Sequence, residues 1–107
     1  MKCIYEKPEI AYPEISEKRS KKNLSWIEIG SENYHNNIRT ISSLFPENVE
    51  ISVLLNANAY GHGWRQIAEL ATAAGVKYFS VFIVDEMVEV WGFLPDAELF
   101  VLGPVPE

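Results

Sequence analysis

The sequence has one cysteine, Cys3, so no disulfide can form within the chain and no paired-cysteine metal site is available. Such sparing use of cysteine suits a reducing compartment and points to the cytoplasm. No stretch approaches the roughly 18 consecutive apolar residues of a membrane span. Lys2 is not followed by the apolar core of a secretory signal, so neither export nor a membrane partner is expected. Basic residues are scarce too: nine Lys and Arg against fifteen Asp and Glu, a net charge of −6. That balance speaks against a nucleic-acid surface. Only Arg39, Arg65 and Lys77 lie beyond residue 23.

What remains is a globular composition, 48% hydrophobic and 22% charged, in 107 residues, enough for one small domain with one core. Residues 1–23 stand apart. They hold Pro8, Pro13 and the cluster Lys18-Arg19-Ser20-Lys21-Lys22, and read as a charged flexible leader whose charges are simply solvated. The ordered domain is expected over residues 24–107.

The domain is organised around residues 53–63. The apolar run Ile51 to Leu55 reads as a buried strand, and it empties into a loop with Asn56, Asn58, Tyr60, His62, Gly61 and Gly63. A helical pattern begins at Trp64. Strand, Gly-rich loop and helix is the order in which α/β proteins place ligand groups at the carboxyl ends of strands. Gly61 and Gly63 allow positive φ or a close approach to a ligand, and the helix start offers unpaired N–H groups to a phosphate. Spacing alone makes this a candidate anion site.

Around it, Trp26 to Ile29 reads as a first strand. A helix follows, capped by Ser31, with Tyr34, Ile38, Ile41 and Phe45 on one face before Pro46. The second helix buries Ile67, Leu70, Ala71 and Ala74, and Gly75 closes it. Tyr78 to Val84 is apolar at nearly every position, as in a parallel strand covered on both faces. Asp85 is placed to cap a third helix with Met87, Val88 and Trp91 on its apolar side, shortened or kinked by Gly92 and Pro95. Leu99 to Leu102 reads as a fourth strand. Four strands alternating with three helices imply a parallel α/β sheet with right-handed crossovers. Gly30 alone is no dinucleotide fingerprint.

The loop is more specific than its spacing. Asn56-Ala57-Asn58-Ala59-Tyr60-Gly61-His62-Gly63 resembles the pyridoxal-phosphate attachment segment of the alanine racemases, Lys-Ala-Asn-Ala-Tyr-Gly-His-Gly. Ala57 to Gly63 match in full, whereas Asn56 stands where that family has the lysine that holds the cofactor as a Schiff base. Trp26, Glu28, Ile29, Asn37 and Arg39, and later Leu102-Gly103-Pro104, resemble the same family, which has Asp where Gly30 stands. The resemblance implies a partial (β/α)8 TIM barrel, a parallel half-barrel covering residues 24–107. It implies pyridoxal phosphate as cofactor and alanine as substrate, with L- and D-alanine interconverted for cell-wall precursors. Tyr60 matches the tyrosine that hydrogen-bonds the cofactor phosphate.

An amide nitrogen is neither basic nor nucleophilic, so Asn56 cannot form a Schiff base or accept a proton. Lys77, the only lysine in the matched region, falls before a strand, at the wrong end of the sheet. The expectation is a truncated chain, inactive by itself, without covalent cofactor, and self-associating through open barrel edges. The alternative is a non-catalytic remnant that binds a phosphate-bearing ligand or a partner protein. His62 is expected to be positional rather than a metal ligand, Asn58 to pin the loop backbone, and His35 to sit on a polar helix face. Asp85, Glu86 and Glu89 read as acids favoured at a helix start, not as a catalytic pair.

Overall fold

A computed structural model describes residues 25–107. The leader, Cys3 and the basic cluster lie outside the described residues. The elements in order are α1 (Ser31–Ser43), β1 (Ser52–Leu54), α2 (Asn56–Tyr60), α3 (Trp64–Ala73), β2 (Tyr78–Val81), α4 (Val84–Phe93) and β3 (Glu98–Val101). The three strands form a parallel sheet in the order β1-β2-β3. Ser52 pairs with Tyr78 and Leu54 with Ser80, while Tyr78 to Val81 pair with Glu98 to Val101.

Side chains alternate across this sheet, and the alternation sets its two faces. Phe79 and Val81, on the central strand, are buried and pack with Ile67, Ala68 and Ala71 of α3 and Val90 of α4. Val53, Leu99 and Val101 join them from the flanking strands. Burying side chains of this size contributes roughly 1.5–3 kcal/mol each, so the core stands on the helix-covered face. The other face carries Ser52, Leu54, Tyr78, Ser80, Glu98 and Phe100. There the Ser52 and Ser80 hydroxyls share a hydrogen bond of 2.6 Å, and Tyr78 stacks on Phe100 with ring centroids 6.1 Å apart. On this face Ser80 is buried, Tyr78 half-buried and Phe100 exposed, so the expected burial on both sides holds in the middle of β2 and is lost toward β3.

The sequence reading of four strands and three helices is corrected to three strands and four helical elements. Trp26 to Ile29 forms no strand, and nothing among the described residues pairs with it. Trp26 and Ile27 are each 54% exposed, and the Trp26 indole N–H donates to Glu28 two residues away at 2.9 Å. Only Ile29 of this stretch packs on the core. The extra helical element is α2, within the segment read as a loop.

Boundaries shift for identifiable reasons. Gly30, not Ser31, is the N-cap of α1, and the helix ends at Ser43, two residues short of Phe45; Tyr34 and Ile38 pack on the core while Ile41 and Phe45 are exposed. Burial pushes the Tyr34 phenol up to about 12. Strand β2 stops at Val81 because the N–H groups of Phe82 and Ile83 are taken by Glu86. Helix α4 therefore starts before Asp85, with Ile83 as N-cap, and it runs through Gly92 to Phe93. Its inward stripe becomes Met87, Val90, Phe93 and Leu94, which leaves Val88 and Trp91 exposed. The third strand begins at Glu98 rather than Leu99 and ends at Val101. Gly75 closes α3 with φ +92°, as expected of a residue in the left-handed region. No described helix is long and apolar enough to cross a membrane.

Candidate functional site

At the carboxyl end of β1 the chain does something unusual. Leu55 is buried and donates its N–H to Ser80, and Asn56 follows. Ala57, Asn58, Ala59 and Tyr60 then take φ of 52°, 57°, 52° and 56°, a single helical turn wound left-handed. For L-residues that conformation brings Cβ against the following carbonyl at roughly 1–2 kcal/mol each. Gly61 and Gly63 continue at positive φ, 88° and 97°, where the absence of Cβ removes the clash. Their positive φ matches the sequence reading. That of the four preceding residues does not follow from it, since only Asn58 among them is a residue type tolerant of this region.

The strain is held by hydrogen bonds. Ala59 N–H donates to Leu55 O at 3.0 Å, Gly61 N–H to Ala57 O at 3.1 Å and Gly63 N–H to Asn58 O at 2.9 Å. The Asn58 carboxamide oxygen accepts the Trp64 N–H at 2.9 Å and so caps α3 while pinning the turn. His62 Nδ1 lies 2.8 Å from the Ala59 carbonyl, which accepts its N–H. No group of His, Cys, Asp or Glu among the described residues is arranged to hold a metal ion. Ala59 itself is buried, which anchors the inner side of the turn.

The remaining residues singled out in the sequence fall as follows. Tyr60 is 65% exposed at the end of the turn. The carboxamide oxygen of Asn56 is buried and meets no hydrogen-bond donor. Lys77 sits at the amino end of β2, its carbonyl accepting the Glu98 N–H at 2.9 Å. It is a strand away from Asn56, roughly 10 Å or more at about 3.3 Å per residue. His35 departs from its expected polar surroundings: it is half-buried, and its Nε2 is enclosed without a partner.

One residue read in the sequence only as an acid favoured at a helix start has a larger part. Glu86, in the first turn of α4, accepts the Ala57 N–H on Oε1 at 3.1 Å. Its Oε2 accepts the N–H groups of Phe82 at 2.9 Å and Ile83 at 3.3 Å. A glutamate two or three positions into a helix often serves the local cap, and that signal was legible. The bond to a residue 29 positions earlier was not.

Comparison with known proteins decides what this end of the sheet is related to. Residues 29–107 match the family described as "Alanine racemase, N-terminal domain". The chain belongs to this family. It is 44% identical over 62 residues to the alanine racemase of Listeria monocytogenes serotype 4a (strain HCC23), covering 58% of this chain and 17% of that protein. To the alanine racemase of Carboxydothermus hydrogenoformans it is 36% identical over 81 residues, covering 76% of this chain and 22% of that one. Among solved structures it resembles the alanine racemase from Bacillus anthracis with bound L-Ala-P, at a TM-score of 0.65 and 33% identity. That match covers 71% of this chain and 20% of the other. The chain thus spans about a fifth of the length of the racemases it matches.

In this member of the racemase family the Glu86 carboxylate has a perturbed proton affinity. Burial pushes its pKa up, but the N–H groups of Phe82, Ala57 and Ile83 outweigh burial and hold it below the ordinary carboxylate value. A carboxylate whose folded pKa lies below its unfolded one stabilises the fold above the unfolded value, and this stability is lost as pH falls through the folded one. Acidification is therefore expected to lower the melting temperature, and Glu86→Gln to flatten that acid limb. Thermal melts at stepped pH read both; superimposable acid limbs would mean that Glu86 is not held as described.

Proposed function

We propose that this chain carries the first part of an alanine racemase barrel, with the backbone of its cofactor end kept and its attachment position altered, and that alone it does not racemise alanine. The observation that carries this reading is Asn56, at the mouth of β1 and immediately before the left-handed turn. Pyridoxal phosphate, the cofactor of the family, supplies stabilisation of the carbanion formed when an amino acid loses its Cα proton. Holding it covalently requires an amine. The lone pair of the Asn56 nitrogen is delocalised into its carbonyl, and the amine of Lys77 is at the other end of β2, so the residues present do not fit covalent attachment. The exposed Tyr60 hydroxyl remains suited to donate a hydrogen bond to a phosphate oxygen.

Tyr60 also supports a second, non-catalytic reading, in which this end of the sheet binds a phosphate-bearing ligand without bonding to it. The two readings share the prediction that D-alanine does not accumulate when the chain is incubated with L-alanine and pyridoxal phosphate. Asn56→Lys is expected to retain cofactor through borohydride reduction, read by mass spectrometry, yet still to give no turnover. Racemisation by the unaltered chain would overturn the reading of Asn56. Turnover by Asn56→Lys would overturn the need for the remaining barrel strands.

The exposed apolar side chains have a consequence for association. Phe100 is exposed where it stacks on the half-buried Tyr78, and Phe82 and Leu102 are exposed just past the strand ends. Among the described residues β1 and β3 each have one unpaired edge. Two copies meeting through these surfaces would cover them. Sedimentation is expected to show a concentration-dependent dimer or larger species, and a monomer at all concentrations would contradict the idea.

A further inference from the structure

The left-handed turn is bonded by three side chains, and two of them, Asn58 and His62, belong to the same loop. The third, Glu86, comes from the neighbouring strand–helix unit. Ala57 stands near the start of the turn, where backbone N–H groups find no partner within it. We propose that Glu86 is a positioning residue for this site: by holding the Ala57 N–H it fixes the direction in which the chain leaves β1, and with it where residues 56 and 60 present their side chains. The proposal deepens the reading of this end as the cofactor end and rests on it.

The geometry demands a carboxylate with two separate oxygens. Oε1 serves the turn, and Oε2 serves the loop between β2 and α4. The bond therefore ties two adjacent strand–helix connections together at the edge where a ligand of this family's fold would sit. Glutamine offers one acceptor oxygen, so it serves the turn or the second loop but not both. Aspartate is one methylene shorter and does not span the gap. Asp85 and Glu89, the other carboxylates of α4, hold none of these N–H groups.

Amide hydrogen exchange on the whole chain tests this. In Glu86→Gln the Ala57 amide is expected to exchange about ten-fold faster, the scale of one lost charge-assisted hydrogen bond. The amides of Phe79 and Val81 in β2 are expected to keep their rates. Glu86→Ala, which removes both acceptors, should do so at least as strongly. Unchanged Ala57 exchange in both variants would overturn the proposal. So would an equal acceleration of Ala57, Phe79 and Val81, which would make Glu86 a stabiliser of the whole fold. Titration with pyridoxal phosphate, followed at the Tyr60 ring resonances, adds a readout that a purely structural role would not move. The affinity is expected to fall about ten-fold in Glu86→Gln, and equal affinities would count against positioning. Absence of any binding by the unaltered chain would instead overturn the phosphate role of Tyr60, and the Ala57 exchange rates would still decide on Glu86.

Discussion

Four consecutive L-residues wound left-handed, Ala57 to Tyr60, are the constraint on which the carboxyl end of this fold depends. At roughly 1–2 kcal/mol each they cost on the order of 4–8 kcal/mol, comparable to the whole stability of a small domain. Such a turn persists only where its surroundings over-determine it. Here the bonds come from three directions: the turn's own backbone, the start of α3 through Asn58, and α4 through Glu86. Ala57 and Ala59 bring no side chain beyond Cβ, and Ala59 uses its methyl group to bury the inner side. Strain concentrated in one segment, rather than spread through the core, marks a place where position matters more than stability.

The core supplies the rigidity the turn needs. β2 is paired on both edges, and its Phe79 and Val81 bind α3 and α4 into one apolar cluster. Trp64 at the start of α3 meets Phe93 at the end of α4 edge-to-face at 5.5 Å, and the Arg65 guanidinium lies 5.2 Å from the Phe93 ring. The two helices flanking the turn are thereby held to each other as well as to the sheet. Glu86 can fix the turn only because the helix that carries it is itself fixed. On the opposite sheet face the described side-chain contacts are the Ser52–Ser80 hydrogen bond and the Tyr78–Phe100 stack.

Much of this was legible in the sequence. The hydrophobic run before Asn56, the helical stripe of Ile67, Leu70 and Ala71, and Gly75 after it placed the central strand–loop–helix unit, because each reflects burial or local backbone preference. The motif from Ala57 to Gly63 led to the right family. What failed depended on which of several competing partners each group takes. Trp26 to Ile29 has strand-like residues but no neighbouring strand to pair with, and strand propensity is largely a statement about neighbours. Asp85 was placed as a cap because it looks like one locally. Glu86 took that task by binding the N–H groups of Phe82 and Ile83, which started the helix earlier and moved its buried stripe to Met87 and Val90. The left-handed turn was hidden most deeply, since Ala and Tyr have no preference for positive φ and the bonds that hold it, local and from Glu86, form only once it is wound.

The functional account rests on the same turn. On the proposed reading this turn sets the form of the carboxyl end of β1, and Asn56 sets the chemistry available there. The most direct test is the intraresidue amide-to-Hα nuclear Overhauser effect for Ala57, Asn58, Ala59 and Tyr60 in solution, because positive φ brings those two protons close together. The account predicts four consecutive intense intraresidue cross-peaks, clearly stronger than those of Ile67 to Ala71 in α3. Intensities equal to those of α3 would mean that the turn is right-handed or unformed, and the arrangement built around it would not stand.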